Sequence, residues 1–246
     1  MRLKDKVALI IGGGSGIGRA IAVRFAVEGA QTAVADLAPE AGQETVNLIG
    51  ADGGTASFFP VDVTQRDQIR AVLTQVEKQY GRLDVLVNSA GIAGRGRIEE
   101  VDEELWDRVV AVNLSGVFWA CKYAVPLLKR AGGGVILNLG SIAGLRGWPG
   151  SAIYSATKGG VVMLSRTLAA DYARENIRVW AICPTAVDTP ILHRLFAQET
   201  DAQAARQAYE AKEPMGRLVT VDEVAHAALY LISSEQPPYS PEPFIV

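Results

Sequence analysis

Residues 7–20 run Val7-Ala8-Leu9-Ile10-Ile11-Gly12-Gly13-Gly14-Ser15-Gly16-Ile17-Gly18-Arg19-Ala20, and their reading decides the fold. Five apolar residues in succession read as a strand covered on both faces. The glycine run ends that strand, and the helix-period segment Arg19–Glu28 follows it. Glycines here permit a tight turn, let a pyrophosphate approach the backbone, and bring the helix N-terminal amides onto an anion. A glycine run alone is weak evidence. Its position between a first strand and a first helix makes Gly12, Gly14, Ser15, Gly16, Ile17 and Gly18 candidates for dinucleotide binding.

Outward from that turn, short β-branched runs alternate with helical patterns. Val7–Ile11, Gln31–Ala35, Ala56–Phe59, Val85–Asn88, Val135–Leu139 and Arg178–Cys183 read as strands. In Thr64–Tyr80 the apolar residues Ile69, Val72, Leu73, Val76 and Tyr80 make one helical stripe, with Thr64 as expected N-cap and Gly81 as stop. Repetition of strand, helix and strand predicts an α/β fold with a doubly wound parallel sheet, in one domain spanning residues 1–246.

Composition agrees. The chain has 246 residues, 49% of them apolar, which is ample for one core. Net charge is −3 with both signs dispersed, so neither nucleic acid nor an anionic membrane is an expected partner. The apolar run near the N-terminus is too short for a signal peptide or a membrane span, and the expected location is cytoplasmic. Cys121 and Cys183 lack CxxC partners and nearby histidines, so both are expected as buried thiols, with no metal site.

Asp36 ends the second strand, eighteen residues beyond Gly18. A carboxylate there accepts both ribose hydroxyls and repels a 2′-phosphate. Leu37 follows it, and no basic residue lies within the glycine turn, so NAD is expected over NADP.

Ser151–Asp171 reads as a helix, which sets Tyr154 and Lys158 one turn apart on one face. Tyrosine ionises near pH 10, and bringing that to about 7 takes roughly 4 kcal/mol of phenolate stabilisation. A neighbouring ammonium and a nicotinamide cation in a dry site are candidate sources. Ser141 follows the strand Val135–Leu139, at the carboxyl edge where such sheets hold ligands. Its hydroxyl can hydrogen-bond a substrate oxygen as that oxygen becomes alkoxide-like. Asn113 lies in the apolar helical stretch Val109–Phe118, where a buried amide needs partners. It serves equally well as a satisfied core residue or as the holder of a water.

Together these residues resemble the short-chain dehydrogenase/reductase family over about residues 1–235. The resemblance rests on Gly12-x-x-x-Gly16-Ile17-Gly18, Asp62-Val63, Asn88-Ser89-Ala90-Gly91, Asn113, Ser141, Tyr154-x-x-x-Lys158 and Pro184…Thr189-Pro190. It implies that Tyr154 moves the hydroxyl proton, Ser141 orients the substrate oxygen, and Lys158 binds the nicotinamide ribose and lowers the tyrosine pKa. By the same resemblance Asn113 completes a proton relay, Asp62 and Val63 flank adenine, and Asn88 supports the cofactor-side strand. Ala90, Gly91, Pro184 and Val187 join the cofactor-binding set, and Thr189 would lie near the carboxamide or phosphate. A homo-oligomer, tetramer or dimer, is expected.

Departures from the family pattern are Ile11 for the usual threonine, Ser89 for a second asparagine, Trp180 for asparagine, and Thr185 for the glycine after Pro184. Thr185 is expected to narrow the pocket or to rearrange the backbone. The terminal stretch Pro237–Val246 has four prolines where the family carries a Thr-Gly turn and a last strand, with Phe244–Val246 as a possible short strand.

Substrate-facing residues are expected from Gly91–Arg97, Ile142–Trp148 and the stretch after Pro184, with a helical lid over residues 190–214. Leu145, Trp148, Ile153, Leu192 and Leu195 suggest an apolar pocket, whereas Arg95, Arg97, Arg146, His193 and Arg194 could bind an anion. The leading expectation is a dehydrogenase of a secondary alcohol or ketone. Alternatives are a 3-oxoacyl thioester reductase and a non-catalytic dinucleotide-binding regulator.

Overall fold

The computed structural model describes residues 1–233 and 242–246. Seven strands form one parallel sheet: β1 (Val7–Ile11), β2 (Gln31–Asp36), β3 (Thr55–Pro60), β4 (Val85–Asn88), β5 (Gly134–Leu139), β6 (Ile177–Cys183) and β7 (Phe244–Ile245). Their order is β3-β2-β1-β4-β5-β6-β7. The six strands expected from the sequence are all present, within one residue at each end.

Alternation within the strands builds two cores. Ala8 and Ile10 of β1 face one way, into a layer with Ile21, Phe25, Val224 and Leu229. Val7, Leu9 and Ile11 face the other, into a layer with Ile69, Leu73, Ala120, Leu128 and Val161. The first layer is covered by α1 (Gly16–Val27), α2 (Pro39–Ala51) and, late in the chain, Val221–Ser233. The second is covered by α3 (Arg66–Tyr80), by the long helix made of α4 (Glu103–Val110) and α5 (Gly116–Arg130), and by α6 (Ala152–Tyr172). A strand buried on both faces must be apolar throughout, and β1 is.

Strand order reverses between β1 and β4, whose carboxyl ends therefore flank the crevice of a doubly wound sheet. Gly12 leaves β1 there with φ +82°, and a Cβ on it would lie 2.4 Å from the Ala90 nitrogen. Only glycine lets the two loops touch.

Some local expectations fail. Thr64 is not the cap of α3: the helix starts at Arg66, and the Thr64 hydroxyl donates to Asp62 Oδ1 at 2.7 Å instead. That short Asx-type contact outcompetes capping. Gly81 does end α3, with φ +76°. α1 begins at Gly16, three residues before the helical pattern does, because glycine hides periodicity. Glu103–Arg130 is long and apolar enough to cross a membrane, but Val109, Val117, Ala120, Ala124 and Leu128 along it are buried in this protein.

The remaining helices are α7 (Pro190–Phe196), α8 (Ala202–Glu210) and α9 (Val221–Ser233). β7 pairs Phe244 with Ile182 and Ile245 with Cys183, so the short terminal strand forms. Pro237, Pro238 and Pro241 lie outside the described residues.

Candidate active site

At the glycine turn, Gly12 and Gly13 both donate to the Ala35 carbonyl, at 2.8 and 3.1 Å, which ties the turn to β2. A Cβ on Gly18 would sit 2.0 Å from the Gly12 oxygen, and one on Gly14 would sit 2.7 Å from Asp36 Cγ. Ser15 is the N-cap of α1 yet makes no side-chain cap, and the first turn has no acidic residue. The opening amides of α1 thus remain available, as an anion requires. Ile11 lacks the hydroxyl that would tie the neighbouring loop, and main chain replaces it: Ser89 and Ala90 both donate to the Ile11 carbonyl, at 2.8 and 3.1 Å.

Asp36 accepts from the Gly14 amide through Oδ2 at 2.8 Å and from the Ala38 amide through Oδ1 at 3.0 Å. Each oxygen keeps a further lone pair for a ribose hydroxyl. These residues fit a dinucleotide. Sequence reasoning overlooked Arg19, which lies just past the turn and folds back across it. Its guanidinium donates to the Gly14 carbonyl at 2.6 Å, to Thr45 Oγ1 at 3.1 Å and to Glu44 at 2.6 Å. Those contacts make it a strut with its charge engaged.

Further along the crevice, Asp62 and Val63 follow β3, and Val63 packs where a Cβ on Gly116 would lie, 3.0 Å away. Asn88 is buried and donates to Asn138 Oδ1 at 2.8 Å, and Asn138 donates to the Ser165 hydroxyl at 2.9 Å. This chain braces β4 against β5 and α6. Gly91 passes beside both Asn113 and Lys158: a Cβ on it would meet Asn113 Oδ1 at 3.5 Å and Lys158 Nζ at 3.7 Å.

Ser141, Tyr154 and Lys158 converge beyond β5 and β6. Ser141 leaves β5 and accepts from the Ala143 amide at 3.1 Å, which aims its hydroxyl. Lys158 is buried and donates to the Leu139 carbonyl at 2.6 Å, with its ammonium 5.7 Å from the Tyr154 ring centre. Burial drags the Lys158 pKa down from 10.5 to about 8, while the Cys183 thiol acts weakly the other way. Tyr154 is half-buried. Desolvation pushes its pKa above 10, the Ser141 hydroxyl draws it back, and Cys183 adds to the rise. That direction holds for the protein without nicotinamide, whose positive charge is the other source expected to favour the phenolate. Cys183 thus neighbours Tyr154 and Lys158, and nothing in its apolar sequence context signals that.

Asn113 sits in a π-helical turn, Ala111–Ser115, between α4 and α5. The wider turn interrupts the helix ladder. The Asn113 side chain accepts from the Ile92 amide at 2.8 Å and donates to the Ile92 carbonyl at 2.9 Å. It also donates to Thr157 Oγ1 at 3.4 Å, whose hydroxyl donates to the Tyr154 carbonyl at 2.9 Å. Asn113 is a buried amide with both its N–H groups engaged and one acceptor position filled, and it borders the site.

Pro184 follows β6, and its carbonyl accepts from the Ile142 amide at 3.0 Å. Thr185 donates through its main-chain N–H to the Val246 carbonyl at 2.9 Å and keeps a negative φ, a conformation that needs no glycine. Trp180 is buried with its indole nitrogen unpartnered, and the structure offers no reason for that choice. Val187 pairs with Val219 in an isolated bridge, and Thr189 caps α7 by accepting from Leu192 at 3.4 Å. Residues 190–214 hold α7 and α8. Leu192 and Phe196 bury themselves against Leu218, with Leu195 packed on that cluster. Glu213, at its far end, accepts from the Ala186 amide at 3.2 Å. A cleft of about 510 Å³ opens between α1, α9 and Pro190, but none of Ser141, Tyr154 or Lys158 lines it.

Residues 6–200 match the family model described as short chain dehydrogenase. The chain is 41% identical to a 2-(S)-hydroxypropyl-CoM dehydrogenase of Xanthobacter autotrophicus, covering 95% of this chain and 92% of that one. It is 39% identical to a 3-oxoacyl-[acyl-carrier-protein] reductase of Thermotoga maritima, covering 96% and 93%. A solved actinorhodin polyketide ketoreductase with NADPH superposes with a TM-score of 0.93 at 33% identity, over 100% of this chain and 97% of the other.

Proposed function

Because the chain belongs to the short-chain dehydrogenase family, we propose that it moves hydride between NAD and a secondary alcohol or ketone, with Tyr154 as general acid and base. The observation that carries this reading is the meeting of Ser141, Tyr154 and Lys158 beyond β5 and β6.

In the oxidative direction the Tyr154 phenolate, favoured by the positive charges of the loaded site, would take the hydroxyl proton as hydride leaves the carbinol carbon. The Ser141 hydroxyl holds the substrate oxygen while negative charge gathers on it. Bound nicotinamide supplies the hydride acceptor and a positive charge beside the phenol. Lys158 supplies the second positive charge and holds the ribose. Asn113 Oδ1 has a lone pair beyond the one given to Ile92, and that position suits a water passing the proton outward.

Asp36 supports NAD: its charge opposes a 2′-phosphate, and Arg19 is engaged with Gly14 and Glu44 rather than free to offset it. Gly12, Gly14, Ser15, Gly16, Ile17 and Gly18 would cradle the pyrophosphate, with Asp62, Val63, Asn88, Ala90 and Gly91 along the adenine and ribose side. Pro184, Val187 and Thr189 would border the nicotinamide, under a lid of residues 190–214. The likeness to a 3-oxoacyl-[acyl-carrier-protein] reductase keeps thioester reduction as a second reading. A homo-oligomer is also proposed, since Phe118 and Met163 are exposed on α5 and α6. A monomer mass by light scattering would remove that part.

The test is absorbance of the reduced nicotinamide with NAD and NADP offered separately to alcohols, polyols and hydroxyacyl thioesters. An NAD-dependent rise with secondary alcohols supports the leading reading. Activity confined to thioesters with NADP replaces it with the second.

A further inference from the structure

We infer that the substrate carries an anionic group, seated between Arg146 and Lys212 at the indole of Trp148. This deepens, and rests on, the alcohol oxidoreductase reading above.

Three segments meet at one corner of the site. Gly96, after β4, bridges to Ser151 and donates to the Gly150 carbonyl at 3.0 Å. Arg95 reaches the lid, donating to Glu199 at 2.6 Å and to the Tyr209 hydroxyl at 2.8 Å. Tyr209 in turn lies against Phe196 and Trp148, with ring centres 5.3 and 6.3 Å apart. The loop bearing Trp148 is anchored on α6, since a Cβ on Gly144 would lie 2.6 Å from the Lys158 carbonyl carbon. Arg146 follows two residues later, at most about 8 Å of chain from that anchor.

The charges at this corner are unbalanced. Arg146 Cζ is 5.7 Å and Lys212 Nζ 5.5 Å from the Trp148 ring centre, and Lys212 is also 5.5 Å from that of Tyr209. Among the described residues neither cation has a carboxylate within 4.0 Å, in a protein of net charge −3. Their neighbours are paired: Arg95 with Glu199, Arg97 with Glu99, and Arg206 with Asp188. Of the residues read from sequence as possible anion binders, pairing thus sets aside Arg95, Arg97 and His193, the last held by Asp188. Arg194 is exposed and touches no ring.

A ring face attracts a cation without neutralising it. Both cations are exposed and lie 5.7 and 5.5 Å from the same ring centre, so an oxyanion held at that indole meets two positive charges. The guanidinium fork suits a carboxylate, sulfonate or phosphate. The indole offers an apolar wall for the carbon chain joining that group to the carbinol. The anion belongs to the substrate rather than to a free ion because the loop that presents Arg146 and Trp148 is the one that leaves Ser141.

The experiment compares (ω−1)-hydroxy acids of increasing length with 2-alkanols of equal carbon number, using NAD and the intact protein. The ratio of kcat/KM for the acid over the alcohol should exceed about 100 at the best length. It should fall about tenfold in Arg146→Gln and again in Lys212→Gln, through KM. Arg70→Gln, which removes an equal charge from α3, should leave it unchanged. A ratio near one, or one insensitive to both variants, overturns the inference. Inorganic phosphate should compete with the acid alone; equal inhibition of acid and alcohol would mean a free-anion site and overturn it too. If no alcohol is oxidised, the catalytic reading has failed, and Trp148 fluorescence decides the anion site separately. Saturable quenching by the hydroxy acid, lost in the double variant and in Trp148→Phe, supports it; no quenching overturns it.

Discussion

The buried ammonium of Lys158 donates to the main-chain carbonyl of Leu139 at 2.6 Å. One lysine thus joins the end of β5 to α6, and its charge is held where water does not reach.

That charge costs stability in a defined window. Unfolded, the lysine keeps its proton up to 10.5; folded, it releases the proton near 8. Between those values the unfolded chain binds more protons, so this contribution to stability rises with pH there and is lowest below pH 8. Against Lys158→Met, wild type should gain on the order of 3 kcal/mol from pH 8 to 10.5, read by urea unfolding. A difference that stays flat with pH would mean the lysine is not desolvated as described.

Asp36 should govern cofactor choice. With Asp36→Ala the preference for NAD over NADP should shrink at least about tenfold, a change of about 1.4 kcal/mol. The Gly14 and Ala38 amides lose an acceptor, so a small fall in melting temperature should accompany it. Unaltered preference would mean another residue reads the ribose.

Asn113→Ala strips both partners from the Ile92 main chain and leaves a part-buried amide and carbonyl unpaired. At about 1–3 kcal/mol for each unsatisfied group, unfolding free energy should drop by roughly 2–5 kcal/mol. Asn113→Ala matching wild type in a denaturant titration would show that water takes over both bonds, and would leave the relay as its main role.

Much of the fold was legible because parallel strands are apolar at nearly every position. β1 and β4 are examples, and both appear with their expected ends. The convergence of Ser141, Tyr154 and Lys158 and the place of Asp36 beside the glycine turn were legible from spacing, since residues four apart on a helix share a face and strand ends meet at one edge. Cys183 and Arg19 were not. A thiol in an apolar strand looks like core whichever edge it reaches, and an arginine after a glycine turn does not announce which carbonyl it folds back on. The sorting of the mouth cations was equally hidden, because Glu199 meets Arg95 across 104 residues. The direction of the Tyr154 shift depends on desolvation, which spacing does not encode.

The central claim is that Tyr154 is the acid and base for NAD-dependent hydride transfer. Tyr154→Phe keeps the ring and removes only the hydroxyl, so it isolates that claim. Reduced-nicotinamide absorbance with the best alcohol should fall by about 10²–10⁴-fold or more, while NAD still binds within about threefold of wild type by calorimetry. A variant that binds NAD and retains most of its turnover would contradict the assignment.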